Sequence, residues 1–441
     1  MTAADIRGLA LSTSGEDAND AFERALASHI GSHGDPLAEI ERGLARHGGF
    51  AMGHALRAAL LVVGWDEPRP RDLAEAIAGI DALGTSATRR ERAHANAARA
   101  WLAGAQGRSA AIYGSIVDEY PRDLVALFVA QTLDFHAGRR ARMQGRVARA
   151  LRYWRADLPG YAAVRAMHAF ALEENGDYAR AEAEARVALT AEPGLPAAVH
   201  AVAHVMEMQG RAREGVAWLA ATEDAWGASS YAVHHAWHLA LFHLDCDHVA
   251  EARAILETRV DTDDAPPMSA LVDAASLLWR LSLRGADAGA RWQRLAARWD
   301  DRPLEGTRAF NLVHAMLAFV SAGHRDGTRR VRLALERQAT ARATREDARL
   351  ALPLCAAFEH FGAGAYAQAV RRLTEVRHLA ARCGGSVAQC DLIQLTLIEA
   401  ALRGRHANLA GELAAERAAR RPGGFFNRWL AARARLAVAG A

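Results

Sequence analysis

The chain contains no lysine: all 54 basic residues among its 441 are arginine. That absence excludes Schiff-base catalysis, a lysine-anchored pyridoxal phosphate and a GxxxxGK phosphate loop, because each needs the ε-amino group itself. An arginine-only basic set fits the codon bias of a GC-rich, bacterial-type composition. Cysteine is also scarce. Cys246, Cys355, Cys383 and Cys390 are the only four and form no CxxC pair, so neither a disulfide framework nor a zinc ribbon is indicated. Net charge is small as well, at +3. This balance argues against an electrostatic footprint on nucleic acid or on an anionic membrane, so neither is expected as a partner. No long apolar run is present, since "MGHALRAALLVVGW" is short and interrupted, and the opening residues show no basic segment followed by an apolar core. The expected location is cytoplasmic, with reduced thiols.

What is abundant is alanine, leucine and arginine, with strand-like alternation nearly missing, a pattern that predicts helix almost throughout. Pro121, Pro159 and Pro193 end successive helices at separations of 38 and 34 residues, and Gly107, Gly138, Gly176 and Gly210 mark turns between apolar-periodic segments. "YAAVRAMHAFALEENGDYARAEAEARVALTAEP" reads as one helix–turn–helix unit of the tetratricopeptide (TPR) kind. Such a unit cannot bury its apolar face alone. Stacked neighbours would give an all-α superhelical array of antiparallel helix pairs with a concave inner face. The expected organisation is one domain over residues 1–441, with a less regular arm over 1–36 and about ten pairs over 37–441. The loops "TDDAPPM" (262–268) and "RWDDRPLEGT" (298–307) would interrupt its register.

The histidines fall on the first helices of two successive units. His200, His204 and Glu207 stand at i, i+4 and i+7, a single stripe of a helix. His234, His235, Trp237 and His238 follow, with His200 to His234 and His204 to His238 both 34 residues apart. Two imidazoles and a carboxylate suit zinc or a redox metal, so His200, His204, Glu207 and His238 are a candidate metal set. The HxxxH spacing is permissive, and the same residues also suit hydrogen-bonded core positions or a metal-free polar pocket. His243 and His248 lie off the stripe and read as structural or solvent-exposed. Trp218, Trp226, Met206 and Met208 read mainly as packing.

The chain resembles the tetratricopeptide repeat protein 38 family. The resemblance runs from "GLALSTSGEDANDAFERAL" through "HAVAHVMEMQGRAREGVAWL", "HHAWHLALFHLD" and "FNLVHAMLAF" to "GGSVAQCDLIQLTLIEAAL", nearly the whole length. It implies an all-helical repeat protein of poorly defined biochemical role. Its polar motif positions correspond to His200, His204, Glu207, His235, Trp237, His238, Asn311, His314, Gln389 and Asp391. Leu312, Val387 and Cys390 depart from the polar residues that the motifs imply.

Two functions are compatible with these residues. The first is a binding module for a small molecule or peptide, using His200, Arg211, His234, His235, Trp237, Asn311 and Gln389, with arginine as the only fixed cation for a carboxylate. The second is an enzyme in which His204, His238, His314, Glu207 and Asp391 form a metal centre or a metal-free acid–base set for hydrolysis, isomerisation or oxidation. A reactive Cys390 opposite His314 is a third idea. No nucleophile elbow or dinucleotide fingerprint narrows the class.

Overall fold

A computed structural model describes residues 4–12, 15–64, 68–262, 266–341 and 345–439. Among the described residues the chain forms 24 α-helices and no strand, and no helix is long and apolar enough to cross a membrane. Positions 263–265 of the "TDDAPPM" loop lie outside the described residues. The protein is a TPR-like helical repeat.

The repeat logic is visible in the pair Tyr161–Glu173 and Tyr178–Ala191, joined at Gly176, whose φ of 82° only glycine adopts cheaply. Alanines 162, 163, 166, 169 and 171 on the first helix and 181, 185 and 188 on the second are buried, so small side chains let the helices approach closely. Pro121, Pro159 and Pro193 fall between helices as the spacing predicts. One turn differs. Gly107 lies inside the helix Gln106–Glu119, and the left-handed turn residue is Gly104, three positions earlier.

The spacing suggests one continuous array, and the described residues group into two compact units. The first comprises Met1–Val202 and Asp224–Tyr231, the second Ala203–Glu223 and Ala232–Ala441. In the first, residues 16–31 of the expected irregular arm are a regular helix, and the core combines small and branched aliphatic residues such as Ala55, Leu56, Val129 and Val147 with Phe22, Phe50 and Tyr113. In the second, Trp237, Trp299, Phe242, Phe319 and Phe358 are the large buried side chains.

Within the second unit one loop closure matters for the site. Gly210, φ 69°, ends the helix Pro196–Met208, and a Cβ there would sit 1.7 Å from the Pro422 carbonyl oxygen. Only a glycine admits the 421–424 segment this closely. That contact brings Arg421 up to the residues preceding the turn.

Candidate functional site

The site is built from residues of the second unit carried on five helices. His204 and Glu207 come from the end of Pro196–Met208, and His234, His235, Trp237 and His238 from Ala232–Asp245. Asp273 and Arg280 lie on Met268–Leu283, Asn311 and His314 on Ala309–Ser321, and Gln389 and Asp391 on Val387–Arg403. These helices are apolar nearly all round, so each polar residue must find its partner inside the protein.

One ring nitrogen from each of His204, His234 and His238 lies within 4.8 Å of the others. A tetrahedral ion with bonds of ~2.0–2.1 Å separates its ligand nitrogens by ~3.4 Å, so the group is near ligating geometry. The rings of His204 and His238 are 4.6 Å apart, those of His234 and His238 4.8 Å, and His234 stacks on Trp237 at 5.2 Å. His204 and His238 are fully buried, while His234 keeps 23% of its side chain exposed and is the ring that solvent reaches.

Two of the three imidazoles are held by carboxylates. His238 Nδ1 is 2.7 Å from Glu207 Oε2, and His234 Nδ1 is 2.9 Å from Asp273 Oδ2. An Nδ1–H donated to a carboxylate fixes the tautomer and makes Nε2 the nitrogen able to ligate. Electrostatics separate the two rings. Burial, reinforced by the charges of His204, His234, His235 and Arg421, pushes His238 well below the ordinary histidine value. Burial also acts to lower His234, but the Asp273 carboxylate outweighs it and leaves the group raised.

Behind Glu207 lies a fixed charge network. Arg421 donates to Glu207 Oε1 at 2.8 Å and to Asp391 Oδ2 at 2.8 Å, and Arg417 grips Asp391 at 2.9 and 2.7 Å. Burial would raise the Asp391 carboxyl, but Arg417 and Arg421 hold it well below the usual carboxylate range. Arg280, lowered by burial to about 10, lies over the Trp237 ring at 5.4 Å and donates to the Ala388 carbonyl at 2.9 Å.

Several expected residues are placed differently. Glu207, taken as a metal ligand, has one oxygen on His238 and the other on Arg421, which makes it an orienting group. Asp391, taken as catalytic, is the counter-ion of two guanidiniums. Arg211 pairs with Glu214 at 2.8 Å beside the turn. Gln389 closes a helix capping box, its Oε1 accepting from Ser386 N at 3.0 Å. His200, a candidate ligand in the sequence, keeps that standing: it is buried, and its ring stacks on Phe170 at 5.8 Å. His235 is buried on the same helix as His238. His314 is buried as well, its Nδ1 2.9 Å from the Phe310 carbonyl, and burial lowers it to about 4. His314, Phe310, Cys383, Gln389 and Cys390 help line a cavity of about 20 Å³, room for one water. Of the departures from the family motif, Leu312 is fully buried and Cys390 lines that cavity.

Sequence reasoning missed Asp273, Arg280, Arg417 and Arg421. The first two carried a signal: they are the only charges in the otherwise apolar helix "MSALVDAASLLWRLSL", seven residues apart on one face. Arg421 carried none, being 214 positions from its partner Glu207.

No family model matches the chain. Among solved structures it is similar to human IFIT1, as a dimer with m7Gppp-AAAA, at 12% identity over 97% of this chain and 94% of that chain, TM-score 0.43. A second human IFIT1 dimer, with PPP-AAAA, matches at 11% identity over 97% and 96%, TM-score 0.40. The likeness concerns the helical fold alone. It also corrects one expectation. Both IFIT1 structures carry a nucleic acid, so the exclusion of nucleic-acid partners drawn from net charge is withdrawn. A whole-chain sum near zero says nothing of local arginine density, which is what a phosphate meets.

Proposed function

We propose that this chain is a helical-repeat metalloprotein that binds a small molecule at a three-histidine centre, with His204, His234 and His238 as ligands. The observation that carries the reading is the pair of carboxylate-held imidazoles. His238 on Glu207 and His234 on Asp273 reproduce twice the carboxylate–histidine arrangement of metal sites, and the third ring lies within 4.8 Å. The ligand set therefore differs from the stripe read in sequence, with His234 in and Glu207 moved behind His238.

Imidazole ligands with carboxylate partners suit zinc. A metal ion there supplies Lewis acidity toward an oxygen atom. The protein's own part is to fix the tautomers of His234 and His238, to keep His204 and His238 dry, and to admit solvent past His234. Hydrolysis is the reaction class this favours among those weighed. Membership of the tetratricopeptide repeat protein 38 family belongs with this proposal, since His204, Glu207, His238, Asn311 and His314 coincide with motif positions of that resemblance.

Cobalt(II) substitution tests the reading. Stoichiometric visible absorption of a four-coordinate site, lost in His238→Ala, together with metal-dependent hydrolysis of p-nitrophenyl acetate, is the expected result. Absorption without hydrolysis would leave a metal-dependent binding protein. No absorption would overturn the metal centre and leave the same imidazoles and carboxylates as an acid–base pocket.

A further inference from the structure

Next to His234 lies a second group of polar atoms that the metal reading does not use. Asp273 gives Oδ2 to His234, but among the described residues its Oδ1 has no hydrogen-bond partner, and the same holds for Asn311 Oδ1, His314 Nε2 and Trp237 Nε1. All four residues are at most 2% exposed. They form one neighbourhood: Asn311 and His314 are at i and i+3 on one helix, the charges of Asp273 and Arg280 both act on His314, and Arg280 covers Trp237, which stacks on His234. Buried polar atoms are almost always bonded, so these four call for partners with complementary groups.

The hydrogen-bond signs define those partners. The Phe310 carbonyl only accepts, so His314 Nδ1 carries the proton and Nε2 presents a lone pair. Asp273 Oδ1 and Asn311 Oδ1 are acceptors too. Trp237 supplies the single donor. An anion is disfavoured, because the nearby guanidiniums are already engaged: Arg280 on Ser276 and Ala388, Arg417 on Asp391, and Arg421 on Glu207 and Asp391. A primary ammonium offers three N–H donors and one positive charge, which matches three acceptors of which one is a carboxylate.

We infer that the small molecule bound beside the metal centre is a primary amine, its ammonium held by Asp273, Asn311 and His314. The inference rests on the three-histidine reading for its position but not for its chemistry. Asp273 then has two roles, orienting His234 through Oδ2 and anchoring the amine through Oδ1. Trp237 Nε1 meets an acceptor elsewhere on the same ligand.

The test uses zinc-loaded full-length chain, with n-propylamine hydrochloride as probe and sodium propionate at equal ionic strength as control. Propylamine is expected to raise the melting midpoint by about 2 °C or more, propionate to leave it unchanged, and Asn311→Leu to abolish the shift with zinc content unaltered. His314→Phe provides the same readout if Asn311→Leu fails to fold. Equal responses to both probes, no response to either, or a shift that survives in the variants would overturn the inference. Zinc measured on the same samples separates the two claims: an amine shift without zinc supports the amine site and sinks the metal centre, whereas zinc without an amine shift does the reverse.

Discussion

Each unit of the molecule buries a histidine, a carboxylate and an arginine, yet only one of the two groupings has the makings of a reactive site. In the first unit Asp123 accepts from His94 Nε2 and from Arg90, each at 2.9 Å, and caps the following helix through Ala126 N at 2.8 Å. Arg90 goes on to the Ala10 carbonyl and ties down the N-terminal segment. Both oxygens of that carboxylate serve architecture. In the second unit Glu207 links His238 to Arg421 in the same manner, but His238 stands beside two further imidazoles and a second carboxylate–histidine pair. A His–carboxylate–Arg triad is thus a fastening; convergence of several imidazoles is what adds chemistry.

The strongest way to break this comparison is to remove the arginine from each grouping. Arg421→Met and Arg90→Met should each destabilise the protein by about 3–5 kcal/mol in chemical denaturation, because each leaves buried carboxylates uncompensated. Only Arg421→Met should also weaken zinc binding, by about tenfold to a hundredfold in a chelator competition, since it acts on His238 through Glu207. Equal zinc affinity in both variants would erase the distinction.

A pH effect of the next size follows from His314. Its pKa is about 4 in the folded protein against an ordinary value of 6.5, so folding favours the neutral ring. The stability it contributes is complete above pH 6.5 and is lost as the pH falls toward 4, by about 3 kcal/mol in all. His314→Phe should flatten the stability curve across that window. A curve as steep as that of the unaltered protein would place the titration elsewhere.

Two smaller effects sharpen the reassignment of residues first read as ligand-binding. Gln389→Ala should cost about 1 kcal/mol, the value of a capping box, without altering zinc content. Arg211→Ala should change stability by no more than about 0.5 kcal/mol and leave ligand binding intact, as expected of a surface pair with Glu214. A loss of binding in Arg211→Ala would restore the arginine clamp read from the sequence.

The division between what the sequence disclosed and what it concealed has a physical basis. Helix pairing was legible because proline, left-handed glycine and alanine spacing act locally, and even the misplaced turn at Gly107 missed Gly104 by only three residues. The stripe bearing His204 and the helix bearing His238 were legible through helical periodicity. The division of labour between them was not, because it depends on Asp273 and Arg421, which arrive from other helices. Glu207 looked like a ligand while its guanidinium partner, 214 residues away, was out of view. Lone charges in apolar helices, such as Asp273 and Arg280, are the cue that would have narrowed the gap.

The central claim is the identity of the three ligands, and elemental analysis of protein purified without chelator tests it most directly, on the unaltered chain, His234→Ala and Glu207→Gln. The account predicts about one transition-metal ion per chain, lost in His234→Ala and retained, more weakly held, in Glu207→Gln. Metal retained in His234→Ala but lost in Glu207→Gln, or absent from the unaltered protein, would contradict it.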